Sequence, residues 1–230
     1  MKSSTALVAP QRNCGLSGLA ALVLLGLVLS GCGVVGRTSV KTLQLAMQGK
    51  PDVQPKPDDV AANRYPQIKV TGPRGGAVLV LGNLDGDRQA WYSNDRSIVF
   101  LEDGVLVGTH GGTPELQDMR IEGENPFHGL HQIQGPVTIQ RQYDVMPGYR
   151  FGMTVRGTLE RLGTENIEIL GSTRPLLHVR ERLKGQGWKR DNHYWVDPAN
   201  GFIWKSVQAI GPDASLEIIQ LKPYSPDLKR

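Results

Sequence analysis

From Tyr65 onward the chain is a succession of short apolar segments separated by turn residues. Residues 67–71 alternate apolar and polar side chains, the period of a strand with one buried face. Residues 77–81 form an unbroken apolar run, the pattern of a strand buried on both faces. A turn over residues 83–87 carries Asp85-Gly86, a hairpin signal. Strands follow at 88–93, 97–101 and 105–109, with Asn94-Asp95 and Asp103-Gly104 as the intervening turns. Strands this closely spaced predict an antiparallel meander.

Residues 111–135 lose the alternation and read as a long loop with a helical turn at 114–119. A second β series then runs through 137–143, a bent strand at 149–162, and strands at 166–170, 176–183, 192–196, 202–210 and 215–221. Between 196 and 202, Asp197 can accept hydrogen bonds from the turn backbone and Gly201 can supply a positive φ. The predicted fold is therefore all-β, two mainly antiparallel meanders packed as a sandwich or open barrel.

The N-terminal 63 residues follow other rules. Residues 16–29 are apolar, are preceded by Lys2 and Arg12, and contain no acidic residue. This is a secretory signal layout, with a core too short for a comfortable membrane span. Leu29-Ser30-Gly31-Cys32 resembles the bacterial lipobox, at which the cysteine receives a diacylglycerol and the chain is cut before it. An ordinary signal peptide or a buried apolar helix are the alternatives. The resemblance implies a covalent diacylglycerol and an N-acyl chain on Cys32, and no other cofactor. Gly33, where an Asp would mark inner-membrane retention, resembles the outer-membrane pattern. Beyond the anchor, residues 39–48 place Val40, Leu43, Ala46 and Met47 on one helical face. Pro51, Pro55 and Pro57 then predict a stiff, extended tether. The expected organisation is signal peptide 1–31, anchor, short helix and tether 32–63, β domain 64–223, and a tail 224–230.

Composition changes this picture little. Removing the first 31 of 230 residues leaves 199, with 24 basic and 22 acidic side chains, a net charge of +2. A charge so small, with no basic run, argues against a nucleic-acid partner. Cys14 leaves with the signal and Cys32 carries lipid, so the mature chain keeps no thiol for a disulfide, nucleophile or metal.

Candidate chemistry is sparse. His128 and His131 form a His-x-x-His, with His110 and Glu124 as conceivable additions, but solvated loop histidines explain them better. Asp85-Gly86-Asp87 needs no more than a turn. Glu160, Glu181 and Asp197 could supply a carboxylate pair for glycoside cleavage if two of them faced each other across a sugar cleft. There is no nucleophile elbow and no phosphate-binding glycine loop, so no catalytic or metal site is expected, and the protein is not expected to be an enzyme. Trp91, Trp188, Trp195 and Trp204 hold most of the aromatic area. Trp91, Trp195 and Trp204 are the candidate contacts for a glycan or partner, with core packing as the competing role. Trp195 and Trp204 lie on adjoining strands, and Tyr92 and Tyr194 should point to the faces opposite their neighbouring tryptophans.

Several stretches carry a resemblance in their order and spacing: Ala77-Val78-Leu79-Val80-Leu81, Trp91-Tyr92-Ser93, Gly104-Val105-Leu106-Val107-Gly108-Thr109, Tyr194-Trp195-Val196-Asp197, and the run from Gly201 to Gln208. Together with the lipobox they resemble the YjbF/GfcB family of capsule and exopolysaccharide lipoproteins. The resemblance implies an outer-membrane lipoprotein facing the periplasm, a non-enzymatic accessory factor in polysaccharide export or assembly. Its implied partners are the membrane, secretion components such as an outer-membrane β-barrel, and the polysaccharide. A second resemblance, carried by Tyr194-Trp195-Val196-Asp197-Pro198 with Gly201, is to the LolA/LolB lipoprotein carriers, and implies an apolar cavity for acyl chains.

Overall fold

A computed structural model describes residues 52–229. The signal, the lipobox Leu29-Ser30-Gly31-Cys32 and the expected helix at 39–48 lie outside the described residues.

Twelve strands form one antiparallel sheet. They are β1 (Gln67–Gly72), β2 (Gly75–Asp85), β3 (Arg88–Tyr92), β4 (Ile98–Glu102), β5 (Val105–His110) and β6 (Glu115–Glu122). After a 3-10 segment (Pro126–Gln132) come β7 (Val137–Met146), β8 (Arg150–Ile169), β9 (Ser172–Gly185), β10 (Trp188–Val196), β11 (Ile203–Ala209) and β12 (Ser215–Lys222). The spatial order is β5-β4-β3-β2-β1-β12-β11-β10-β9-β8-β7-β6. The two expected meanders are thus halves of one sheet, joined because β1 pairs with both β2 and β12.

The sheet curls until its edge strands meet. β5 and β6, at opposite ends of the order, are consecutive in sequence, and side chains bridge them in place of a ladder. Thr109 Oγ1 accepts from the Leu116 amide at 2.9 Å, and Glu115 Oε2 accepts from the Gly111 amide at 3.0 Å. The result is a nearly closed barrel whose interior is the main core, including Ile68, Leu79, Trp91, Leu101, Val155 and Val179.

Barrel geometry corrects three sequence expectations. Residues 111–135 are not a loop with a helical turn at 114–119: they hold strand β6 and the 3-10 segment. A bulge between Leu116 and Asp118 puts the inward positions at Leu116 and Met119, three apart, which erases the period of two. The strands expected at 149–162 and 166–170 are the single strand β8, bulged between Arg161 and Gly163. The run 77–81 is not buried on both faces. Leu79 is buried and Val78 and Val80 are half-buried, because a one-sheet barrel packs only its inner face.

Beyond the β8 bulge, the β8–β9 hairpin contributes Ile169 and Leu176 to a smaller cluster with Trp204, against which Trp195, Phe202 and Ile219 pack. The segment before β1 is also docked. Asp52 accepts from Lys69 Nζ at 2.7 Å and Thr71 Oγ1 at 3.1 Å. A short helix, α1 (Pro57–Ala62), buries Val60, whose carbonyl accepts from Gln67 Nε2 at 2.9 Å. The extended backbone expected around Pro55 therefore gives way to a helical turn at Pro57, a residue suited to the first helical position.

Antiparallel alternation sorts the turns between two ends. One end carries the β1–β2, β3–β4, β5–β6, β7–β8, β9–β10 and β11–β12 connections. The other carries the β2–β3, β4–β5, β6–β7, β8–β9 and β10–β11 connections.

Candidate functional site

The four tryptophans separate by strand face. Trp91 on β3 is 0% exposed and points into the barrel, while Tyr92 points out. Trp188 is also interior, its ring 4.4 Å from that of Tyr143. Trp91 therefore offers no ring face to a ligand outside the barrel, and the three candidate contacts do not form one platform. Trp195 and Trp204 do share the outer face. The bulge between Trp195 and Val196 sets Val196 opposite Ile203 and Trp195 opposite Lys205, so Trp204 joins the outer cluster. Trp204 is only 7% exposed, with the Arg174 guanidinium 3.9 Å from its ring centre. Tyr194, as its neighbour requires, is inward and fully buried.

Around Trp195 lies an array that sequence reading did not single out. His178 on β9 stacks on its indole at 4.7 Å and 10°. Glu165 on β8 accepts from Trp195 Nε1 at 2.7 Å and contacts His178 Nδ1 at 2.6 Å. His178 Nε2 lies 2.8 Å from His193 Nδ1. The indole hydrogen bond, followed by the imidazole beside it, holds the Glu165 carboxyl below its usual range. Burial, then the neighbouring His178, lowers His193. The signal available in sequence was positional: His178, His193 and Trp195 are outward positions on adjacent strands, but their pairing depends on the β9–β10 register, Trp195 opposite His178.

The barrel interior holds a second polar array. Arg141 on β7 forms a two-pronged ion pair with Glu181 on β9, at 2.7 and 2.9 Å. Tyr194 Oη and Asn192 Nδ2 each donate to Glu181 at 3.0 Å. Asn192 Oδ1 accepts from the Ala209 amide at 2.8 Å. Burial opposes the charge on Arg141, but Glu181 outweighs it, so the guanidinium holds its proton more firmly than usual. Burial raises the phenols of Tyr143 and Tyr194. Gln208 links β11 to β5, accepting from the Leu106 amide and donating to the Gly104 carbonyl, both at 2.9 Å. These groups are fully engaged with one another and hold the barrel wall in register.

Glu160 and Glu181 do not form a facing carboxylate pair. Glu160 points outward to Arg180 and Arg182, whereas Glu181 points inward to Arg141. Asp197 serves its turn, accepting from the Ala199 amide at 2.9 Å, and Gly201 takes φ +80° as that turn requires. Among the described residues no group of three or more His, Cys, Asp or Glu side chains is arranged to hold a metal ion. His128 pairs with Asp103 at 2.9 Å and His110 with Glu115 at 3.5 Å.

A cavity opens at the barrel end that carries the β1–β2 and β3–β4 turns. It encloses about 520 Å³, and Val70, Leu79, Val99, Ile210 and Leu216 form its apolar wall. Its rim includes Val53, next to the docked Asp52. The volume falls within the range of small-molecule pockets, roughly 300–1,000 Å³. No sequence pattern announced it, since its lining comes from six separate segments.

Comparison with known proteins adds three findings. The family model described as group 4 capsule polysaccharide lipoprotein gfcB, YjbF, matches residues 40–221. The chain is 23% identical over 211 residues to "Uncharacterized lipoprotein GfcB" of Escherichia coli (strain K12), covering 88% of this chain and 97% of that protein. In fold it is similar to the crystal structure of the hypothetical lipoprotein YmcC from Escherichia coli (K12), with a TM-score of 0.67 and 22% identity over 74% of this chain and 90% of that one.

Proposed function

The chain belongs to the YjbF/GfcB family of group 4 capsule polysaccharide lipoproteins, and from that premise we propose that it is a non-enzymatic accessory factor in export or assembly of an extracellular polysaccharide. Membership makes it a membrane-anchored protein of the cell envelope. The finer reading is an anchor at Cys32, residence at the outer membrane, and a barrel facing the periplasm, where it contacts secretion components such as an outer-membrane β-barrel.

The family match carries this reading, because it spans nearly the whole β domain together with the segment leading into it. The structure supports it indirectly. Its conspicuous polar groups are engaged with one another inside the barrel or on its wall, as suits a scaffold. Of the candidate contacts, Trp195 keeps partial exposure, but His178 covers one side of the ring and Lys205 Nζ lies 5.0 Å from its centre. Stacking on a sugar would displace one of them, so contact with a protein partner is favoured over a glycan platform.

Cell-surface polysaccharide measured in wild type, a deletion strain, and the deletion carrying Cys32→Ala tests the proposal. Polymer should fall in the deletion and not return with Cys32→Ala. Unchanged polymer in all three strains would remove its basis.

One observation favours a second reading. An apolar-walled cavity of about 520 Å³ is more than a scaffold requires and suits an acyl chain. In this reading the protein carries lipid or lipoprotein, as the LolA/LolB resemblance implies. Displacement of a hydrophobic fluorescent probe by phospholipid would support it, and indifference to lipid would count against it.

A further inference from the structure

We propose that the barrel end bearing the cavity mouth is a membrane-contacting surface, seated on anionic phospholipid through the β7–β8 hairpin tip. The proposal rests on the lipid-anchor reading of Cys32, and three independent observations point to the same end.

The first is the hairpin tip. Tyr149 is 77% exposed and Phe151 56% exposed, the two most exposed large hydrophobic side chains among the described residues. Their rings lie edge to face, 6.2 Å apart, with Arg150 between them in sequence. Two aromatic rings held out into solvent beside a cation are costly for a surface that meets only water. They suit a membrane interface, where tyrosine rings settle at headgroup level and an arginine reaches phosphate.

The second is charge. The connections and flanking positions at this end carry Arg74, Arg96, Arg150, Lys184 and Lys189, against the carboxylates Asp52, Asp95, Glu115 and Asp213. The same connections and flanking positions at the other end carry Asp85, Asp87, Glu102, Asp103, Glu122, Glu124, Glu168 and Asp197 against Arg88, with Arg64 and Lys222 where the chain enters β1 and leaves β12. A barrel with this polarity orients in the field of an anionic surface with its basic end inward.

The third is where the chain arrives. Asp52 is held at this end by Lys69 and Thr71, and a Cβ on Gly76 would lie only 2.5 Å from its carboxylate. Twenty positions separate Asp52 from Cys32. Such a span reaches at most about 70 Å fully extended, and because it leaves the barrel at this end, an anchor at Cys32 lets this end meet the bilayer first. The cavity mouth, rimmed by Val53, then faces the membrane.

The test uses the acylated protein, in which Cys32 is blocked and no other thiol exists in the mature chain. Tyr149→Cys and Leu84→Cys are each labelled with an environment-sensitive dye. Leu84 is 41% exposed near the opposite end, so both variants alter surface positions. The proteins are reconstituted into vesicles of phosphatidylethanolamine and phosphatidylglycerol containing a nitroxide-bearing lipid. The dye at 149 should shift to the blue and be quenched several-fold more than the dye at 84. Equal quenching, or stronger quenching at 84, overturns the proposal. Protein that fails to enter vesicles at all, with mass spectrometry showing no acyl group, overturns the anchor reading instead. A second arm uses the mature chain carrying Cys32→Ala. It should bind phosphatidylglycerol vesicles in a salt-sensitive way, and Arg150→Ser should weaken binding about fivefold. Binding unaffected by Arg150→Ser together with Tyr149→Ser and Phe151→Ser would also overturn it.

Discussion

Arg141 grips both carboxylate oxygens of Glu181 inside the barrel, at 2.7 and 2.9 Å, where the two side chains are 1% and 0% exposed. Removing one partner leaves a charge in a low-dielectric interior. Arg141→Met should therefore lower stability by about 3–5 kcal/mol. Adding Glu181→Gln removes the orphaned charge, so the double variant should be more stable than Arg141→Met alone. Urea unfolding of the wild type, both single variants and the double variant checks this, and simple addition of the two single costs would contradict it.

Gly157 makes room for that ion pair. It lies on β8 opposite Leu183, and a Cβ there would collide with Glu181 Oε1 and lie 3.1 Å from Ile139. Overfilling a packed interior costs about 1–3 kcal/mol. Here the obstacle is one half of a buried ion pair, which cannot retreat without losing Arg141. Gly157→Ala should fall at or above the top of that range, measured by thermal or urea unfolding. Gly123→Ala serves as the comparison for added volume: its Cβ meets nothing within 4 Å, so any cost there comes from its positive φ.

Stability should fall in mild acid, with His193 as the first contributor. Burial and the neighbouring His178 hold its imidazole below the ordinary value of about 6.5. The folded protein thus binds this proton less readily than the unfolded chain does. The associated stability is complete above about pH 6.5 and is lost as pH falls through the lower folded value. Glu165, also lowered, adds a second loss at more acid pH. Urea midpoints at pH 7.5 and 5.5 should differ in wild type and differ less in His193→Gln. An identical pH dependence in the variant would contradict this assignment.

The cavity predicts a binding result separate from any cellular role. Ala77 is half-buried, lies on the cavity wall, and packs against the core. Ala77→Phe places a ring in the space and should lower uptake of a hydrophobic fluorescent probe several-fold. Trp195→Ala, on the outer face, should leave uptake unchanged. Thermal unfolding of both variants separates lost binding from lost folding.

The local pattern alone determined most of the strands. Alternation in β1, the turn at Gly86, and the turn from Asp197 to Gly201 are effects of side-chain period and backbone sterics over a few residues. The opposed directions of Trp91 and Tyr92, and of Tyr194 and Trp195, follow from the same period. Where a bulge intervenes, the period breaks, and β6 and the length of β8 were lost with it. The pairing of β1 with β12 joins residues about 150 positions apart and turns two expected meanders into one curled sheet. That closure decided which tryptophans are interior. It brought Arg141 to Glu181, and His178 to His193 and Trp195. It gathered six segments around one cavity and collected aromatic and basic turns at one end. None of these follows from neighbours along the chain, because each depends on register and curvature, which only the packed barrel sets.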